Sequence, residues 1–151
     1  MPSLQVNGAE IHYAEAGVGG QPLLMVHGTL GDQRSFAAQM APIAAAGFHV
    51  MALSMRHCWP GNWPAAGGDF RIDTHVADVA AFIGALKKGP VALLGHSRGG
   101  HIAVRVAERH PTLIRALILA EPGGELDESL GGKPGAAGQA SAFTTAADLV
   151  A

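Results

Sequence analysis

The sequence predicts an α/β protein built on a doubly wound, mostly parallel sheet, on three observations. Four continuous apolar runs recur along the chain, at residues 23–26, 50–53, 91–94 and 116–120. Strands that are apolar on both sides belong in parallel sheets covered by helices on each face. The segments between these runs carry helical spacing instead, and strand–helix repetition with short connections winds right-handed. Finally, the 21 glycines gather at the ends of the apolar runs rather than inside them, marking tight loops between defined elements.

The first element expected is a hairpin. Residues 4–6 and 11–14 read as two short strands around Asn7-Gly8, a dipeptide suited to a two-residue turn with positive φ at both positions. A glycine loop at 17–20 leads into the run at 23–26. Phe36, Met40 and Ile43 then stand at i, i+4, i+7 and stop at Gly47. After the run at 50–53, Val76, Val79, Ile83 and Leu86 form a second helical stripe ending at Gly89-Pro90. Ile102, Ala103, Val106 and Ala107 form a third, with Arg105, Glu108 and Arg109 opposite and Pro111 closing it.

Beyond Ala120 the character changes. Residues 122–138 hold six glycines and two prolines and read as a mobile surface excursion. From 140 a helix is expected to begin, with Thr145 and Asp148 at capping-box spacing. The organisation expected is a core portion over 1–121 followed by a flexible loop and the start of a lid over 122–151.

Composition narrows the function classes. A net charge of −2 with scattered basic residues gives no footprint for nucleic acid or an anionic membrane. No apolar run has the length of a bilayer span, and the N-terminus lacks a secretory signal pattern. One cysteine, Cys58, forms no internal disulfide and fits a reducing compartment, so a cytoplasmic location is expected. Nothing has metal-ligand spacing, and no cofactor is expected.

The chemistry centres on Gly95-His96-Ser97-Arg98-Gly99. Following a strand and opening a helix, this G-x-S-x-G has the context of a nucleophile elbow, in which the serine sits on a strained turn. Residues two before and two after the serine must be nearly free of side chain, a need that Gly95 and Gly99 meet. A phosphate-binding loop is the competing reading, but the Lys-Ser/Thr ending and G-x-G-x-x-G are missing. Acyl transfer also needs two backbone N–H donors facing the developing oxyanion. Arg98 is one candidate. Thr29, after His27-Gly28, is the other, with Leu30 as alternative.

The order His27-Gly28, residues 53–57, residues 95–100 and residues 115–122 resembles the α/β-hydrolase family, closest to the small bacterial esterase, lactonase, perhydrolase and C–C hydrolase group. The resemblance spans about residues 4–122. Many relatives carry D-x-R-G-x-G-x-S after the fourth strand. Here Arg56 matches, while Ser54 and His57 replace the leading Asp and first Gly. The resemblance implies a serine hydrolase acting on an ester or related acyl substrate through Ser97. Its triad order of serine, acid, histidine places the histidine downstream. Glu121 stands where some relatives, such as haloalkane dehalogenases, keep their acid; most use an Asp one strand later. Glu121 is therefore read first as a rim carboxylate. None of the eight histidines has the expected place of the base, so a C-terminal companion fragment of the same polypeptide is expected as partner. Two other readings stay open: a non-catalytic small-molecule receptor, and cofactor-free perhydrolase or C–C hydrolase chemistry. Trp59 and Trp63 are expected to shape a pocket wall, and Cys58 to be a loop or core residue.

Overall fold

A computed structural model describes residues 1–62 and 68–122. It contains six strands: β1 (Ser3–Val6), β2 (Ala9–Ala16), β3 (Gln21–Val26), β4 (Phe48–Leu53), β5 (Val91–His96) and β6 (Ile114–Ala120). Three helices join them, α1 (Ala37–Ala45), α2 (Ile72–Leu86) and α3 (Arg98–Arg109). The strands form one sheet in the order β1-β2-β4-β3-β5-β6. β3 lies parallel between β4 and β5, and β6 runs parallel beside β5. The β1–β2 hairpin joins antiparallel through β2 and β4.

The hairpin turns at Asn7-Gly8, where φ is +47° and +73° and Val6 pairs with Ala9. Both signs are those a two-residue turn needs to match strand twist. The parallel strands alternate, so one run serves two faces. Leu24, Val26, Met51, Leu53 and Leu93 face Val76, Val79, Phe82 and Ile83 of α2 and Ile102, Ala103 and Val106 of α3. Leu23, Met25, Val50, Ala52, Ala92 and Leu94 face Phe36 and Met40 around α1. Each fully buried aliphatic or aromatic side chain contributes about 1.5–3 kcal/mol, which makes these two layers the main stabilising feature. Phe82 is fully buried and meets Tyr13 edge-on, with ring centroids 5.2 Å apart.

Two helix starts differ from expectation. The first stripe opens as a 3-10 turn, Gln33–Phe36, before α1. Asp32 initiates it by accepting from the Arg34 N–H at 2.8 Å, while Ser35 Oγ accepts from the Asp32 N–H. α2 begins at Ile72, one turn before the apolar stripe. Asp69 organises that start, accepting from the Arg71 N–H and the Thr74 hydroxyl. The expected loop and helix beyond 122, and Trp63, lie outside the described residues. Among those described, no helix is long and apolar enough to cross a membrane.

A candidate active site at the ends of the strands

The loops after β3, β4, β5 and β6 leave the same edge of the sheet. At its centre the β5–α3 turn holds Ser97 at φ +51°, ψ −120°, a region an L-residue occupies only when its surroundings enforce it. Those surroundings are close-packed backbone. A Cβ on Gly95 would stand 2.3 Å from the Gly99 carbonyl oxygen. One on Gly99 would stand 2.2 Å from the Val26 oxygen and 2.6 Å from that of His27. The Ser97 N–H donates to Ala120 O at 3.1 Å, joining the turn to the end of β6. α3 leads directly away from the serine, so the unpaired N–H groups of its first turn face this side.

The loop after β3 meets the elbow from below. Gly28 lies so near that an added Cβ would be 3.0 Å from Ser97 Cβ. His27 fixes the loop. Its Nε2 accepts from the Met55 N–H at 3.0 Å, which leaves Nδ1 to donate to Gly28 O at 2.8 Å. Burial holds its pKa below the usual histidine value and keeps the ring neutral. Thr29 and Leu30 follow, both exposed, Leu30 fully so and with φ +60°. The structure thus brings Gly28, Gly95, Ser97, Arg98 and Gly99 into one turn-and-loop cluster, with Thr29 at its rim. Glu121, exposed at φ +45°, follows the residue that accepts from the Ser97 N–H.

The departures after β4 acquire a physical meaning here. Ser54 Oγ, buried, accepts from the Gln33 N–H at 3.1 Å. His57, the second of these departures, has φ +65°. Its ring packs 5.4 Å from that of Phe70, and a Cβ on Gly68 would stand 2.6 Å from its Cδ2. Cys58 is half-buried, and burial raises its thiol pKa, which suits an inert loop residue. Trp59 is 44% exposed and carries the Arg34 guanidinium 3.9 Å above its ring.

Two partnerships and one unpartnered ring were not evident in sequence. Arg56, partly buried, and Asp78, buried, form a bidentate pair, Nε–Oδ2 2.5 Å and a second bond of 2.7 Å, to which Asn7 Nδ2 adds a 3.2 Å contact. The Arg98 guanidinium donates to the Phe70 carbonyl. His75, 1% exposed, has no hydrogen-bond partner for either ring nitrogen among the described residues.

The chain belongs to the α/β hydrolase fold family: the model of that family matches residues 21–141. Among curated relatives, mouse (Mus musculus) epoxide hydrolase 4 is 31% identical over 114 residues, covering 75% of this chain and 32% of that protein. A 2-hydroxy-6-oxononadienedioate/2-hydroxy-6-oxononatrienedioate hydrolase of Paraburkholderia xenovorans is 28% identical over 113 residues, covering 73% and 39%. Among solved structures, Est816, described as an N-acyl homoserine lactone degrading enzyme, superposes with a TM-score of 0.75 at 28% identity, covering 88% of this chain and 49% of that one. The chain therefore spans about a third to a half of the length of these relatives.

Proposed function

We propose that this chain supplies the nucleophile and oxyanion-binding half of a serine hydrolase acting on a carboxylic ester, lactone or related carbonyl substrate. The observation that carries the reading is Ser97 itself: a non-glycine residue at φ +51° on a strand-to-helix turn, with the Gly28 backbone against its side chain. In this mechanism Ser97 Oγ attacks the carbonyl carbon as its proton passes to a general base. The backbone N–H groups of Arg98 and Thr29 receive the oxyanion, and the leaving group departs to give an acyl-enzyme that water cleaves. His27 holds the loop and His75 is enclosed, so neither serves as the base. The base and its orienting acid come from a further segment of the same protein, as the partial coverage of the relatives supports. Glu121 serves as a rim carboxylate.

The relatives' chemistries are not equally compatible with a serine. Attack of a hydroxyl on an epoxide leaves an ether, which water does not readily cleave, whereas attack on a carbonyl leaves an ester, which it does. Ser97 thus favours the lactone- and ketone-cleaving relatives over the epoxide hydrolases as guides to substrate.

The test uses the full-length protein. A fluorophosphonate is expected to label wild type on Ser97, and Ser97→Ala to lose both labelling and ester turnover. Absence of labelling, with neither wild type nor Ser97→Ala turning over ester, would overturn the reading in favour of a binding protein; ester turnover retained in Ser97→Ala would overturn it in favour of another nucleophile. Glu121→Gln as inactive as Ser97→Ala would make Glu121 the acid. Native intact mass checks the companion segment: an active, solitary 15.4 kDa species would exclude it.

A further inference from the structure

We propose that the Arg98 side chain is a positioning residue, setting the oxyanion-binding N–H of its own backbone by clamping onto the Phe70 carbonyl. The inference rests on the serine-hydrolase reading above and deepens it.

Three consecutive residues of the elbow are tied to three different parts of the fold. Ser97 is tied through its N–H to Ala120 O at the end of β6. Gly99 is wedged against the carbonyls of Val26 and His27 at the end of β3. Arg98 lies between them, and its reach to a third element is its side chain, which crosses 28 positions of sequence to Phe70 O on the approach to α2. A guanidinium bond to a carbonyl is charge-assisted and directional, and the planar group holds its geometry better than an ammonium does. A strained turn keeps its conformation only when several anchors over-determine it, and this clamp is the anchor belonging to residue 98.

The same carbonyl belongs to a packed patch. The Phe70 ring lies 5.4 Å from His57 on the loop after β4 and 6.1 Å from His75 inside α2. Arg98 therefore draws together the elbow, the β4 loop and the start of α2. His75 is buried one turn into that helix. Because the oxyanion donor is main chain, replacing the side chain leaves the donor chemically intact. Any loss of transition-state binding then reports where the N–H points.

The experiment compares Arg98→Met and Arg98→Lys in the full-length protein. The readouts are p-nitrophenyl butyrate kinetics and the affinity for phenylboronic acid, which forms a tetrahedral adduct on the serine. Arg98→Met is expected to lower kcat by about 10–100-fold with little change in KM, below the roughly 10²–10³ typical when a donor is removed outright. Its boronate affinity is expected to fall by the same factor, and Arg98→Lys to recover part of both. If Arg98→Met does not fold, Arg98→Gln, too short to reach Phe70, replaces it under the same readouts. Wild-type kcat in the folded variant, or a loss confined to KM with boronate affinity unchanged, overturns the proposal. An active Ser97→Ala would instead bring down the hydrolase reading. An inactive Ser97→Ala beside an unimpaired Arg98→Met would bring down this inference alone.

Discussion

His75 offers a quantitative test of how the interior handles a titratable group. The ring is 1% exposed and neither nitrogen has a partner among the described residues. Burial first, and then the positive charge of Arg98, push its pKa down to about 4 from an ordinary 6.5. Arg56 and His27 act in the same direction, and Asp78 opposes them. The unfolded chain therefore binds the proton more readily, so stability is fully present above about pH 6.5 and is lost as pH falls toward 4. From those two values, the loss at this site between about pH 8 and about pH 5 is on the order of 2 kcal/mol. His75→Leu removes the titration and both unsatisfied nitrogens at similar volume. At neutral pH it should stabilise by about 1 kcal/mol, the low end for an unpaired buried polar group. By about pH 5 the advantage over wild type should widen to roughly 3 kcal/mol. Urea denaturation of both proteins at the two pH values measures this, and the acid sensitivity of His27 cancels in the difference. An equal stability difference at both values, or a variant weaker than wild type near neutrality, refutes the reasoning.

Three further outcomes follow from the packing. Gly99→Ala places a methyl group 2.2 Å from a backbone oxygen that no side-chain movement relieves. It should cost about 3 kcal/mol, seen in chemical denaturation, with loss of fluorophosphonate reactivity at Ser97. Arg56→Met leaves the Asp78 carboxylate buried without its cation and should cost about 3–5 kcal/mol by the same assay; a change below about 1 kcal/mol would mean the pair is solvated in solution. Lys87→Gly, at an exposed left-handed position closing α2 (φ +52°), should stabilise by roughly 0.5–1 kcal/mol, read as a rise in Tm of a few degrees.

What could be read from sequence was governed by range. The hairpin and the elbow are short-range steric problems: Asn7-Gly8 and Gly95-x-Ser97-x-Gly99 carry their solutions within a few residues. The runs at 23–26, 50–53 and 91–94 declared their strands because an inner parallel strand buries both faces, whereas β6, at the sheet edge, is only partly covered. The stripe read for α2 began at Val76, one turn late: Ile72 stands four positions earlier on the same face and packs against the same core, and Asp69 starts the helix through hydrogen bonds that hydrophobic spacing does not register. The long-range pairs left no local trace. Asp78 lies 22 positions from Arg56, and Phe70 lies 28 from Arg98. The burial of His75 was equally hidden, since a histidine beside Val76 looks the same whether it points inward or out. At 57 the resemblance signalled a change without its meaning, and the structure shows that His57 occupies a left-handed backbone position.

The strand order also bears on how the chain assembles as it is made. The amino-terminal hairpin is complete within the first sixteen residues, yet its neighbour in the sheet is β4, and the carboxylate that fastens Asn7 and Arg56 arrives only with residue 78. A nascent polypeptide must therefore carry an early ribbon that waits for a dock. The parallel unit of β3, β4 and β5, with its crossovers, is then the part whose slow formation times the whole.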